Sequence, residues 1–137
     1  MSFAASVALQ AAVYRALRQH EGLGLLVGDA IYDALPVEAP SGTHVALGQD
    51  DVRDAGDATG AGSAHDFTVS VLSGAGAGFS GVKMAAAAVT DALEGAALAL
   101  GRGHLVGLWF LRSRAKRTEN GAGRRVDLTF RARIDLG

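Results

Sequence analysis

The chain has no cysteine, which removes both a disulfide framework and a thiolate zinc site and is compatible with a reducing compartment. It also lacks a long hydrophobic run. Gly, Arg or Asp breaks each apolar stretch short of the roughly 20 residues that a spanning helix needs, so none is expected. The opening stretch MSFAASVALQAAVYRALRQHEG has the small apolar residues of a signal sequence but no basic segment ahead of them, because Arg15 and Arg18 come too late. It reads as a folded helix. Net charge is nearly absent as well: −1 over 137 residues argues against a dedicated DNA-binding module, whose domain would be basic overall. A chain of this length reads as one domain, residues 1–137, able to bury about two thirds of its extended surface.

The small total hides a lopsided distribution. Residues 1–101 carry a balance of −7 and residues 102–137 one of +6. A solvated surface, head-to-tail contacts between subunits and a basic face near nucleic acid each produce such polarity.

Hydrophobic periodicity places the elements. From Phe3 to about His20, Phe3, Val7, Leu9, Val13, Tyr14 and Leu17 form one broad apolar side, giving a first helix. LGLLVGDAIYDALP then reads as a short turn leading to a brief strand around Ile31 and Tyr32, stopped by Pro36, and THVALG (43–48) as a second strand. Residues 49–64 show no apolar periodicity and are rich in Asp and Gly, which predicts a long exposed loop. HDFTVSVLS alternates, with Phe67, Val69 and Val71 on one side and Asp66, Thr68 and Ser70 on the other. A second helix carries Phe79, Val82, Ala86, Val89, Leu93 and Ala97 on its apolar side and closes at Gly101 and Gly103. HLVGLWFLRSRAKR is a strand that becomes charged, TENGAG supplies an Asn120-Gly121 turn, and the last strand alternates strictly. There Val126, Leu128, Phe130, Ala132 and Ile134 face inward, and Arg125, Asp127, Thr129, Arg131, Arg133 and Asp135 outward. The expected fold is α+β: an antiparallel or mixed sheet of four to five strands with two helices packed on one face, in the order α-β-β-β-α-β-β.

Catalytic and cofactor motifs fail on context. Gly76, Gly78 and Gly81 fit G-x-G-x-x-G, but a dinucleotide site needs an acidic residue about 20 positions on, and position 96 is Ala inside the second helix. Lys83 lacks the G-K-[ST] setting of a phosphate loop. Asp50, Asp51, Asp54 and Asp57, with His65 and Asp66 downstream, miss the calcium-loop spacing and its closing Glu. His20, His44, His65 and His104 lack the i, i+4 pairing of a helical zinc site and read as surface or strand-end residues. No G-x-S-x-G elbow is present. No catalytic residue, cofactor or metal is therefore expected. The basic hairpin, with Arg112, Arg114, Lys116 and Arg117 on one arm and Arg124, Arg125, Arg131 and Arg133 on the other, has no aromatic interleaved with its cations. Trp109 and Phe110 fall in the apolar half of their strand. That leaves a non-specific electrostatic surface or contact with an acidic neighbour.

The segments LQAAVYRALRQHEGLGLLVGDAIYDALP, HVALG, GAGSAHDFTVSVLS and VTDALEGAALAL, in this order and spacing, resemble the tail-completion family of long-tailed phages. Its members are tail terminators, and the likeness extends to those of Rhodobacter-type gene transfer agents. The family's Trp after the third strand is Leu72 here, and its Pro-Tyr before the second strand is Thr43-His44. The resemblance implies a homo-oligomer, a hexameric ring that caps the tail tube and meets the head-side connector or stopper. It implies assembly in the bacterial cytoplasm, residence in the tail and neck of a phage-like particle, no membrane partner, and DNA passing without sequence reading. On that footing Asp50, Asp51, Arg53, Asp54, Asp57, Arg117, Arg124 and Arg125 are candidate contacts between subunits or rings, and Arg112, Arg114, Arg131 and Arg133 candidate pore residues. Another neck component, and a nucleotide-binding enzyme built on Gly76–Gly81, are the competing readings.

Overall fold

The computed structural model describes residues 3–34, 36, 38, 40–58, 60–74, 78–118 and 121–137. Helix α1 (Ala4–Gln19) buries Leu9, Val13 and Leu17 on the side that its three- and four-residue spacing predicts, whereas Phe3 and Val7, expected on that side, are exposed. A second helix, α2 (Glu21–Val27), follows at once where the sequence reading expects a turn. Local chemistry explains it: His20 is extended, its Nδ1 accepts the Leu23 N–H at 3.1 Å as a cap, and Gly28 ends the helix at φ +60°. Leu23 and Val27, four residues apart, supply the buried side, and Gly22 and Gly24 obscure the pattern in sequence.

The remaining elements are β1 (Ile31–Tyr32), β2 (His44–Asp54), β3 (Gly62–Leu72), α3 (Phe79–Leu93), β4 (His104–Arg117) and β5 (Arg124–Asp135). The strands form one sheet in the order β1-β2-β3-β5-β4, antiparallel throughout except for the short parallel pair β1–β2. It is a mixed five-stranded sheet in an α+β fold, with α2 added to the expected elements. The central pair β3–β5 runs without a break from Gly62↔Asp135 to Leu72↔Arg125. This unbroken ladder is the most regular part of the sheet.

Helices α1 and α3 pack on the inward side of the sheet. Phe67, Val69 and Val71 of β3 and Val126, Leu128, Phe130 and Ile134 of β5 meet Leu9, Val13, Val82, Val89 and Leu93. At the centre Phe130 is fully buried, stacked on Phe67 at 5.5 Å and met edge-on by Phe110 at 5.7 Å. Ala85, Ala86 and Ala88 let α3 approach this layer closely.

Several expectations need correction. Residues 49–54 and 62–64 belong to strands, so the expected loop over 49–64 shrinks to a tip at 55–61 closed by an Asp57–Gly60 bridge. The extension of β2 meets α1 through a polar contact, Ser6 to Asp50, and is otherwise largely exposed, so no apolar alternation is imposed on it. Helix α3 stops at Leu93, with Gly95 at φ +71° just beyond, and Ala97 is exposed outside it. The hairpin joining β4 and β5 is closed by Thr118 N–H to Gly123 C=O at 3.1 Å, with Gly121 at φ +74°; Asn120, like Gly76, lies outside the described residues. His44 heads β2, a strand end as expected though buried, whereas His65 is buried within β3 rather than at the surface or a strand end.

Candidate functional site

Alternation places Asp66, Thr68 and Ser70 of β3 beside Arg125, Asp127, Thr129, Arg131 and Arg133 of β5 on the sheet face away from the helices. A register shift between Phe110 and Arg112 then brings Arg112, Arg114 and Lys116 of β4 opposite Thr129, Asp127 and Arg125. Arg112, Arg114, Arg131 and Arg133 thus share one face. The charges there fall into two clusters and a remainder.

In the first cluster Arg131 grips Asp66 with both arms of its fork, Nε at 2.8 Å and Nη2 at 2.9 Å, while Arg53 Nη1 stands 3.6 Å away. The Arg131 hydrogen bonds hold the Asp66 carboxyl below its usual range, and in return Arg131 is pushed up. In the second, Asp127 accepts from Ser70 Oγ at 2.6 Å and Arg125 Nε at 2.7 Å, with Lys116 Nζ at 3.6 Å. Burial alone would raise Asp127, but the hydrogen bonds from Ser70 and Arg125 and the charges of Arg125 and Lys116 outweigh it and lower its pKa. Arg133 donates to the Ala55 carbonyl at 2.8 Å.

Arg112 and Arg114 are the remainder: no hydrogen bond or ion pair holds them among the described residues. They border an open polar groove of about 420 Å³ with Gln49, Lys116, Arg125 and Asp127, in which four cations face one carboxylate. Trp109 is also on this face, directly across from Arg131 and 47% exposed. Its ring lies over Gly107, where a Cβ would sit 2.5 Å from Cζ2, so a side chain there would displace the ring. The sequence reading kept the aromatics apart from the cations; the structure puts Trp109 among them. Its register against the strictly alternating β5 is the signal that would have found it.

The candidate contact residues are dispersed. Asp50 turns toward the helices and accepts from Ser6 Oγ of α1 at 2.6 Å, whereas Asp51 and Arg53 alternate with it. Asp54 and Asp57 bond their own turn, to the Gly56 and Gly60 N–H groups. Arg117 is exposed at the hairpin tip, Arg125 belongs to the Asp127 cluster, and Arg124 lies over the Phe79 ring at 5.1 Å, anchored to the start of α3.

Among the described residues no group of His, Asp and Glu is placed to hold a metal ion, and no helix is long and apolar enough to cross a membrane. His65 is enclosed in the inner layer, its Nε2 and Ser63 Oγ sharing a 2.7 Å hydrogen bond and its Nδ1 unpartnered. Burial lowers its pKa against the opposing pull of Asp50. Gly78 precedes α3 in an extended conformation and Gly81 lies within the helix.

Residues 11–135 match the family described as Tail completion protein gp17. The chain belongs to that family. A solved structure also matches this tail-completion protein, a chain described as "Virion of native gene transfer agent (GTA) particle", at 57% identity and a TM-score of 0.90. The match covers 98% of this chain and 99% of that one. No curated protein matches.

The Asp66 pair sets an acid limit on the tail-completion protein. A carboxylate whose folded pKa lies below its unfolded value contributes stability above the unfolded pKa and loses it as pH falls through the folded one. Asp66→Asn is therefore expected to lower Tm at pH 7 and to flatten its decline below about pH 4. Parallel Tm-against-pH curves for the two proteins would show that Asp66 titrates as it does in the unfolded chain.

Proposed function

We propose that this chain is the tail terminator of a gene-transfer-agent particle, a structural protein without catalytic turnover. Six copies close into a ring that ends the tail tube on one side and receives the head-side connector on the other. The near full-length likeness to a chain of a gene-transfer-agent virion carries this reading. The fold supports it: an acidic first part and a basic last part suit a head-to-tail contact between copies. The outer sheet face, with Arg112 and Arg114 free and Arg131 and Arg133 engaged, is the surface that passing DNA phosphates meet without sequence reading.

Imaging of the assembled protein and of intact particles tests it. Sixfold rings, and six copies at the head end of the tail, are the expected result. A ring of another symmetry at the neck would assign the chain to a different connector. A protein monomeric at every concentration and missing from the particle would end the proposal.

A further inference from the structure

We propose that the copies join edge to edge, β4 of one pairing antiparallel with β2 of the next, so that one continuous sheet runs around the assembly. The inference rests on the ring reading above and specifies its contact. Each flank of the sheet is open over part of its length. Strand β4 is the last on its side; the Leu108 carbonyl accepts the Gly95 N–H at 3.2 Å, and from Arg112 to Arg117 no further strand lies beside it among the described residues, while on the other side β1 covers only Val45 and Ala46, leaving Leu47–Asp54 bare. Long bare edges present unpaired N–H and C=O groups and invite another strand.

Charge decides which strand. The bare part of β2 carries Asp50, Asp51 and Asp54 against Arg53, whereas the end of β4 carries Arg112, Arg114, Lys116 and Arg117 and no acid. Pairing β4 with β4, or β2 with β2, sets like charges side by side, which disfavours the two-fold contact. Pairing β4 with β2 sets opposite charges together. The pattern selects the head-to-tail arrangement over the symmetric dimer.

Direction and register agree. Within the sheet β2 and β4 run oppositely, because each neighbouring pair from β2 to β4 is antiparallel. A second copy turned about an axis along the strands therefore brings its β2 antiparallel to β4. With Lys116 opposite Asp51 and Arg117 opposite Asp50, the two faces of the sheet continue and Ala115 meets Val52. Arg114 then faces Arg53, whose charge Asp66 already engages.

The helix layer offers a matching fit. On the β2 side α1 exposes Phe3 (64%) and Val7 (66%) close to Ser6, which holds Asp50. On the β4 side an open groove of about 250 Å³ between α3 and the sheet is lined by Ala86, Ala87, Phe110, Ala115 and Leu128. Joining the edges carries the first toward the second, apolar surface to apolar surface.

The natural absence of cysteine makes the test clean. One preparation carries Val52→Cys, another Ala115→Cys, and a third both; directly opposed strand residues lie within reach of a disulfide. Melting under reducing conditions verifies that each variant folds, and native mass spectrometry under the same conditions reads assembly. On oxidation the two single variants, mixed, should form an interchain disulfide joining one of each, and the double variant should lose its monomer band to a ladder of linked chains. Rings that form without the mixed disulfide would overturn the edge pairing and leave the ring reading standing. Absence of any multimer would overturn both.

Discussion

Replacing Phe130 with alanine is expected to remove about 3–5 kcal/mol of stability, the range for emptying a large aromatic site in a core. Phe130 is fully buried, and it is the residue through which the inner faces of β3 and β4 meet: Phe67 stacks on one side of it and Phe110 meets it edge-on. Both partners lie on strands that hydrogen-bond to β5, so neither can shift inward to fill the space without breaking the ladder. Against a typical domain stability of about 5–15 kcal/mol, such a loss takes much of the margin, and Tm should fall by roughly 10–20 °C. Thr129→Ala, one position along on the wet face, serves as the comparison and should change stability by no more than about 0.5 kcal/mol. Thermal melts of the two variants check it. Near-equal Tm values would mean that the aromatic cluster does not organise the core.

Reversing the two free arginines, Arg112→Glu with Arg114→Glu, is expected to act on function and leave the fold intact. Neither side chain is held by a partner among the described residues, and both are exposed, so Tm should move by only a few degrees. The groove that they border would change from four cations against one carboxylate to two against three. A face that repels phosphate should lower gene transfer on the order of tenfold or more, or stop tails from joining heads, while Arg→Lys at both positions keeps most of the activity. Counts of complete particles and of recipients that gain a marker read the two outcomes separately. Unchanged particles and unchanged transfer would remove these arginines from any pore or docking role.

Much of the fold is legible in the sequence wherever one face of an element is covered. Strand β5 alternates over its whole length because α3 lies on one side and water on the other, and α1 and α3 show their buried stripes for the same reason. Legibility fails where that asymmetry disappears. The outer half of β2 meets the helix layer through a polar contact, Asp50 to Ser6, so Asp50, Asp51, Arg53 and Asp54 read as loop although hydrogen bonds to β3 hold them in a strand. Helix α2 is short, and its glycines hide a pattern of only two buried residues. The candidate site divides along the same line. That its arginines share a face follows from alternation, but which of them are free does not. Arg131 and Asp66 are 65 positions apart in the chain, and only the β3–β5 register sets one against the other.

That register has one more consequence, for the motion of a charged polymer. Asp66 and Asp127 alternate with arginines along the outer face, four residues apart in register, which at strand spacing is about 13 Å. Each carboxylate is fixed by its own bonded partners, so along β3 and β5 the face is a rigid ripple of sign, and its unbalanced positive charge is gathered on β4 at Arg112 and Arg114. On the proposed pore reading, a strand of phosphates drawn along β3 and β5 would be tugged and released in turn, and held longest beside Arg112 and Arg114.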